Sequence, residues 1–473
     1  MAASNEMGYN TEPNFAFLPD TAWVKILQNL SLVDQYHLSL TCHRLHGLFY
    51  HPSLWQTAEL YLVGGLTNFV ISETEMPNRF KKIVQNFGHL FRHLTIHLSG
   101  HLVTMESNTQ EILATMAQVC RLECLVLEVG IMTSDLHRRG FRPFEEGLKE
   151  ILKLVESAYR LKKLEVVSWP MYPEIMSRLD LNVFEVVKKN TKLDNLESLS
   201  LFWMRDKQWS ERSPILPDST YTKALVSHFK SLRHLDLRSP MLSDELLNEL
   251  ASTYRMPLSS LRILIMYSSQ DMRYRIPFLS PSSWKRLKDS SPELEVECTI
   301  MSRIPEVELA GLLVPEIPLV AFNVLKFSTC TPQMLQALKE KFHQTLRSFV
   351  CYHDPQDCEV MLMDMVAACL HIHSLVFHGQ IHSRNITDLI KMHRNWKTFE
   401  FVKSQVMTKE SEINFDENTV IGRTAAGELV QVDFARFHSE ESEEEHEKAL
   451  EDLSKFVSQR LGYRWCLIDT RLD

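Results

Sequence analysis

The chain has 473 residues, 44% hydrophobic and 23% charged, enough to bury a large core as one elongated domain or two compact ones. Its formal charge of −9 is uneven: Ser439 to Asp452 carries eight carboxylates against one lysine, so the remainder is close to neutral. No basic stripe interleaved with aromatics is left for nucleic acid, no apolar run reaches the roughly 20 residues that cross a bilayer, and Met1 to Asn14 lacks a signal-peptide layout. Neither nucleic acid nor a membrane is expected as a partner, and a cytoplasmic or nuclear location is. Nine cysteines without a Cys-x-x-Cys pair suit reduced, buried thiols.

In chain order, a flexible start over 1–14 is expected first, then three short amphipathic helices between Leu18 and Trp55. Trp23, Ile26, Leu27 and Leu30 form the stripe of a helix that buries one face. Pro19 and Asp20 start it, because proline is tolerated in a first turn and a carboxylate suits the positive end of the helix dipole. Asp34 offers a cap to a second helix through Leu38, Leu40 and Cys42; Leu45, Leu48 and Phe49 begin a third, and Pro52-Ser53-Leu54-Trp55 closes the unit. So small a unit carries more large apolar side chains than it can hide, which marks a docking module.

The residues Leu18-Pro19-Asp20, Ile26-Leu27-x-x-Leu30, Asp34, Leu38-x-Leu40-x-Cys42 and Pro52-Ser53-Leu54-Trp55 resemble an F-box, placed at 15–60. The resemblance implies a Skp-type adaptor as partner and, through it, a cullin and a RING subunit. It implies adaptor contacts from Leu18, Pro19, Ile26, Leu27, Leu30, Leu38, Leu40 and Trp55, with Ile26, Leu27, Leu30, Leu38 and Leu40 wholly or partly buried only when the adaptor is bound. One departure stands out: the family usually has Trp where this chain has Leu45, which keeps apolar burial but loses ring area.

After Trp55 the pattern apolar-x-x-apolar-x-apolar returns eleven times, its central residues 24 to 39 positions apart. It reads Phe91/Leu94/Ile96, Leu122/Leu125/Leu127, Leu161/Leu164/Val166, Leu196/Leu199/Leu201, Leu232/Leu235/Leu237 and Leu261/Leu264/Met266. It continues as Leu294/Val296, Phe322/Leu325/Phe327, Leu346/Phe349/Cys351, Ile372/Leu375/Phe377 and Trp396/Phe399/Phe401. Helix-period segments follow the strands, for example over 111–119, 145–159, 243–254, 332–342 and 386–392; Ser280-Pro281 and Thr331-Pro332 are cap-plus-proline starts. The unit resembles an irregular leucine-rich repeat. The fold class is therefore α/β: helical F-box, then a solenoid over 61–404 with parallel strands inside a horseshoe and helices outside, because no unit buries its apolar face alone. A doubly wound α/β domain is the alternative, but its phosphate-binding turns are missing.

Beyond Val402 the pattern breaks. A strand over 429–437, a helix over 442–461 and a strand over 463–468 are expected in a capping unit spanning 405–473, with an acidic segment from Ser439 to Glu447 that is either a solvated helix start or regulatory.

No catalytic elbow, phosphate loop or metal motif is present, so no enzyme activity and no cofactor are expected. His89, His93, His97 and His101 recur every four residues, yet along a strand such positions lie about 13 Å apart, too far for one zinc ion. The function expected is that of a substrate receptor in a ubiquitin ligase; the alternative is a repeat scaffold without ligase output. Residues flanking each inward pair would face the target protein. Of these Phe202, Ile265 and Tyr267, with Trp209, Arg273 and Arg275 on long connections, are the aromatic, apolar and arginine residues expected to bind it.

Overall fold

The computed structural model describes residues 18–30, 32–62, 76–98, 107–129, 142–170, 177–202, 217–267, 275–325, 328–352, 358–393, 395–408, 421–423, 429–431 and 443–469. The expected flexible start at 1–14 lies outside them. The chain divides into two compact units, residues 1–215 with 225–232, and 216–224 with 233–473.

The first unit opens with α1 (Asp20–Gln28), α2 (Leu32–Ser39) and α3 (His43–Phe49), followed by a 3-10 turn over Pro52–Trp55. Five parallel strands follow: β1 (Thr57–Leu62), β2 (His93–Leu98), β3 (Cys124–Val129), β4 (Lys163–Ser168) and β5 (Ser198–Leu201). In register stand Ala58, Leu94, Leu125, Leu164 and Leu199, and two residues on Leu60, Ile96, Leu127, Val166 and Leu201. From Leu94 onward these side chains are buried, as a period-two strand with one face to the core requires. Helices α4 (Met76–Phe87) and α5 (Ser107–Val119), then Arg142–Ser157 and Val183–Lys189, stack on one another in turn. Asn190 ties neighbours together: its Nδ2 donates to Val155 O (2.9 Å) and Ala158 O (3.1 Å), satisfying carbonyls at the end of the preceding helix.

Strand β1 was not expected. Trp55-x-x-Ala58-x-Leu60 is one more copy of the repeat template, with Trp55 in the place Phe91 takes in the next.

Among the described residues of the second unit, seven strands form one parallel sheet: β6 (His234–Arg238), β7 (Ser260–Ile265), β8 (Glu295–Ile300), β9 (Leu319–Val324), β10 (Ser348–Cys351), β11 (Ser374–Phe377) and β13 (Thr398–Phe401). Helices Asp244–Leu250, Pro281–Ser290, Glu306–Leu312, Pro332–Phe342, Glu359–Ala368 and Ser383–Met392 alternate with them. Ser280 Oγ accepts from Ser283 N (3.3 Å) and Thr331 Oγ1 from Met334 N (3.2 Å), so both cap-plus-proline starts form as their sequences dictate.

Three repeats sit in a different register from the one their sequence suggests. Leu261 pairs with Leu235 and Val296, so the template of β7 is Leu258/Leu261/Ile263, not Leu261/Leu264/Met266. Val296 rather than Leu294 is central in β8, and Phe322, opposite Phe349, is central in β9, giving Leu319/Phe322/Val324. A shift by an odd number of residues exchanges the two faces of a strand.

In the tail, the helix Glu443–Leu461 packs on Ser383–Met392. Trp465 Nε1 donates to Phe399 O, and Ile468 bridges Val402 in parallel. The strand expected over 463–468 reduces to that single bridge. Short strands pair as β12 (Ile381–His382) with β14 (Val406–Met407) and as β15 (Ile421–Arg423) with β16 (Leu429–Gln431); the rest of the strand expected over 429–437 lies outside the described residues.

Glu359 carries one pH-dependent link between repeats. Its carboxylate accepts from His382 N (2.5 Å), His382 Nδ1 (2.8 Å) and Asn385 Nδ2 (2.7 Å) at the start of the next helix. Burial pushes its pKa up, but these hydrogen bonds outweigh burial and hold it below the usual carboxylate value. A depressed folded-state pKa contributes stability that is present above the ordinary Glu value and lost as pH falls through the folded one. Glu359→Gln should therefore lower the unfolding free energy by about 1–3 kcal/mol at pH 7, and the gap from wild type should close in acid below pH 4. An equal gap at pH 7 and pH 3 would contradict this.

Candidate functional site

The three N-terminal helices close a small core of their own. Val24, Leu27, Leu45 and Leu48 are buried together, with Trp23, Leu30, Leu38 and Leu54 packed against them. The Cys42 thiol accepts from Leu45 N (3.5 Å) and fixes the start of α3. Arg44 binds the start of α1, its Nε 2.8 Å from Asp20 Oδ1 and its Nη2 2.5 Å from Leu18 O.

Several apolar side chains stand outside this core. Ile26 is 39% exposed, Leu40 62%, Tyr36 47% and Tyr50 51%, and Pro19 is exposed beside them in sequence. Burial corrects the expectation for four of the adaptor contacts. Leu27 is 1% exposed in the chain by itself, because its i+4 and i+3 spacing from Trp23 and Val24 puts it on the inner stripe of α1. Leu30 and Leu38 are likewise half-buried against the same core, without any partner. Trp55 is 4% exposed: its ring stacks on Phe87 at 3.9 Å and 2°, meets Phe49 edge-on at 5.1 Å, and its Nε1 donates to Phe49 O at 2.7 Å. Trp55 thus joins the helices to the first repeat. Leu45, where the F-box pattern has Trp, also points into the core, so the lost ring area is lost inside the helical unit.

The expected target residues do not form one exposed set. Phe202, in the first unit, is fully buried; its backbone has φ +57°, its N–H donates to Val166 O (2.6 Å), and its ring lies 6.0 Å from Phe184. Strict alternation after the inward Leu201 would turn it outward, but the left-handed backbone turns it in. Ile265, in the second unit, is fully buried because the corrected register of β7 puts Ile263 and Ile265 in phase with the inward Leu261. Tyr267 is half-buried, its N–H donating to Ser302 Oγ (2.8 Å), and Arg275 is exposed. Trp209 and Arg273 lie outside the described residues. Among the described residues, no group of three His, Cys, Asp or Glu is arranged to hold a metal ion, and no helix is long and apolar enough to cross a membrane.

Residues 15–60 match the F-box-like family model. The chain is similar to F-box/LRR-repeat protein 21 of Mus musculus, 22% identical over 280 residues, which cover 59% of this chain and 58% of that protein. The Ovis aries protein of the same name is 22% identical over 282 residues, with the same shares. The chain thus spans under two thirds of the length of the curated relatives it matches. Among solved structures, the yeast Rad7 and Elc1 complex overlaps 72% of this chain and 76% of the other at 10% identity and a TM-score of 0.34. The TLR13–ssRNA13 complex overlaps 64% and 44% at 11% identity and a TM-score of 0.27. With F-box-like helices over residues 15–60 and strand–helix units following them in sequence, the chain is similar in arrangement to F-box/LRR-repeat proteins.

Proposed function

We propose that the chain is a substrate receptor of a Skp–cullin–F-box ubiquitin ligase. The observation that carries this is the split within the helical unit: Leu27, Leu45 and Leu48 close its core, yet Ile26, Tyr36, Leu40 and Tyr50 stay open to solvent. Exposed side chains of this size on a module that already has its own core mark a protein contact, and the match to an F-box-like domain favours a Skp-type adaptor as the occupant. The strand–helix units then hold a target protein. In this role the chain is no enzyme; it raises the effective concentration of target lysines near an activated ubiquitin carried by other subunits. The inward position of Leu45 supports adaptor binding, because the departure from the family's Trp leaves the exposed side chains in place.

Co-purification of the tagged chain from cells tests the reading. The adaptor, a cullin and a RING subunit should be recovered together. Adaptor without cullin would instead make the chain a repeat scaffold without ligase output, and recovery of neither would overturn the proposal.

A further inference from the structure

The open face of the second unit carries a notch at β9. Cys298, Phe322 and Phe349 are fully buried in register across β8, β9 and β10. The residues just before them, Glu297, Ala321 and Ser348, therefore share the opposite, open face. Ala321 ends at its Cβ, whereas its two neighbours in that column carry polar groups. Neighbouring strands stand about 4.8 Å apart, which puts Glu297 and Ser348 about 10 Å from each other across a floor no higher than a methyl group. An ion pair closes the notch at the strand starts: Arg347 Nη1 donates to Glu295 Oε1, reaching from before β10 to the first residue of β8 across β9. Asn323, two residues beyond Ala321 on the same face, closes the other end.

The polar atoms left over around this notch are acceptors. Asn323 Nδ2 donates to Glu297 Oε1 (2.8 Å) and to Thr299 Oγ1 (3.1 Å), which uses both of its hydrogens. An ionised carboxylate only accepts, so the amide has one orientation and its Oδ1 is the atom left over. Glu297 Oε2, Asn323 Oδ1 and Ser348 Oγ are bonded to no described residue. On its other side Glu297 stands in register with Arg262, whose Nε and Nη2 both donate to Asp236, the Nε at 2.7 Å. Arg262 thus acts on Glu297 through its charge and not through a hydrogen bond. Burial pushes the Glu297 carboxyl above its ordinary pKa, and the Arg262 charge and the Asn323 hydrogen bond bring it only part of the way back. Glu295 cancels Arg347 and Asp236 cancels Arg262, so the charge of Glu297 is the one not matched by a cation around the notch.

We propose that this notch holds the side chain of a lysine from the target protein, which deepens the receptor reading and rests on it. A lysine brings one positive charge and three N–H donors on a narrow methylene stem. The stem lies over Ala321, and the ammonium donates to Glu297 Oε2, Asn323 Oδ1 and Ser348 Oγ, one hydrogen to each acceptor. A guanidinium spreads five donors in one plane, more than these three acceptors take. A neutral side chain leaves the Glu297 charge unmatched.

The probe is a fluorescent nine-residue peptide pool, degenerate in uncharged residues except for a central lysine, titrated against the full chain beside pools with central Nε-acetyl-lysine and central arginine. The lysine pool should bind about ten-fold or more tightly than the acetyl-lysine pool, as a close charge pair gives, and about three-fold or more tightly than the arginine pool. Glu297→Gln keeps the oxygen that Asn323 bonds and removes the charge, so it should weaken the lysine pool about ten-fold without lowering the melting midpoint. Ala321→Leu fills the notch with Glu297 intact and should abolish the preference for lysine over acetyl-lysine. Equal binding of the acetyl-lysine or arginine pool, or wild-type affinity in Glu297→Gln, would overturn the proposal. Adaptor capture, measured on the same preparation, fails separately if the receptor reading is wrong and persists if the lysine notch alone is wrong.

Discussion

Trp55→Ala should destabilise the first unit by about 3–5 kcal/mol, the range for removing a fully packed large aromatic. The ring is 4% exposed, lies face to face on Phe87 at 3.9 Å and edge-on to Phe49 at 5.1 Å. Aromatic pairs of this kind add about 0.5–1.5 kcal/mol beyond burial. Its removal also strips the Phe49 carbonyl of the indole N–H that bonds it at 2.7 Å. Trp55→Phe keeps the stack and loses the donor, so it should cost about 1–3 kcal/mol, the penalty of one unpaired buried acceptor. Denaturant titration followed by circular dichroism reads both. A Trp55→Ala midpoint equal to wild type would show that this side chain does not join the helices to the repeats.

Trp55 also shows how far a sequence reading reaches. It ends the Pro-Ser-Leu-Trp stretch of the F-box pattern, which drew it toward the adaptor surface, but Trp55-x-x-Ala58-x-Leu60 is the repeat template that buries it. The repeats themselves were legible because a parallel stack demands the same inward pair every turn, and helix starts such as Thr331-Pro332 were legible because capping is local. Register in β7 was not. The run Leu258, Leu261, Ile263, Leu264, Ile265, Met266 fits the template in two phases, and only backbone pairing to Leu235 selects between them. The other phase puts Ile265 on the open face, and strict alternation puts Phe202 there because it takes no account of a residue at φ +57°. Within the helical module, α1 showed a single apolar stripe, while the division of that stripe into Leu27 inside and Ile26 outside depends on how α1 sits on α3.

That division is also where the largest effect on binding is expected. Ile26 and Leu40 stand outside the closed core of the helical unit, 39% and 62% exposed, so Ile26→Glu with Leu40→Glu should leave the unit folded, with a melting midpoint close to wild type. In a contact with an adaptor the same carboxylates would be desolvated without partners, a cost of several kcal/mol. The most direct measurement is isothermal titration of purified Skp-type adaptor into the full chain, wild type and double variant in parallel. The wild-type chain should bind stoichiometrically, and the double variant about a hundred-fold or more weakly, a loss of about 2.8 kcal/mol. Equal affinity for the two chains, or no binding by the wild type, would contradict the claim that this surface is the adaptor contact.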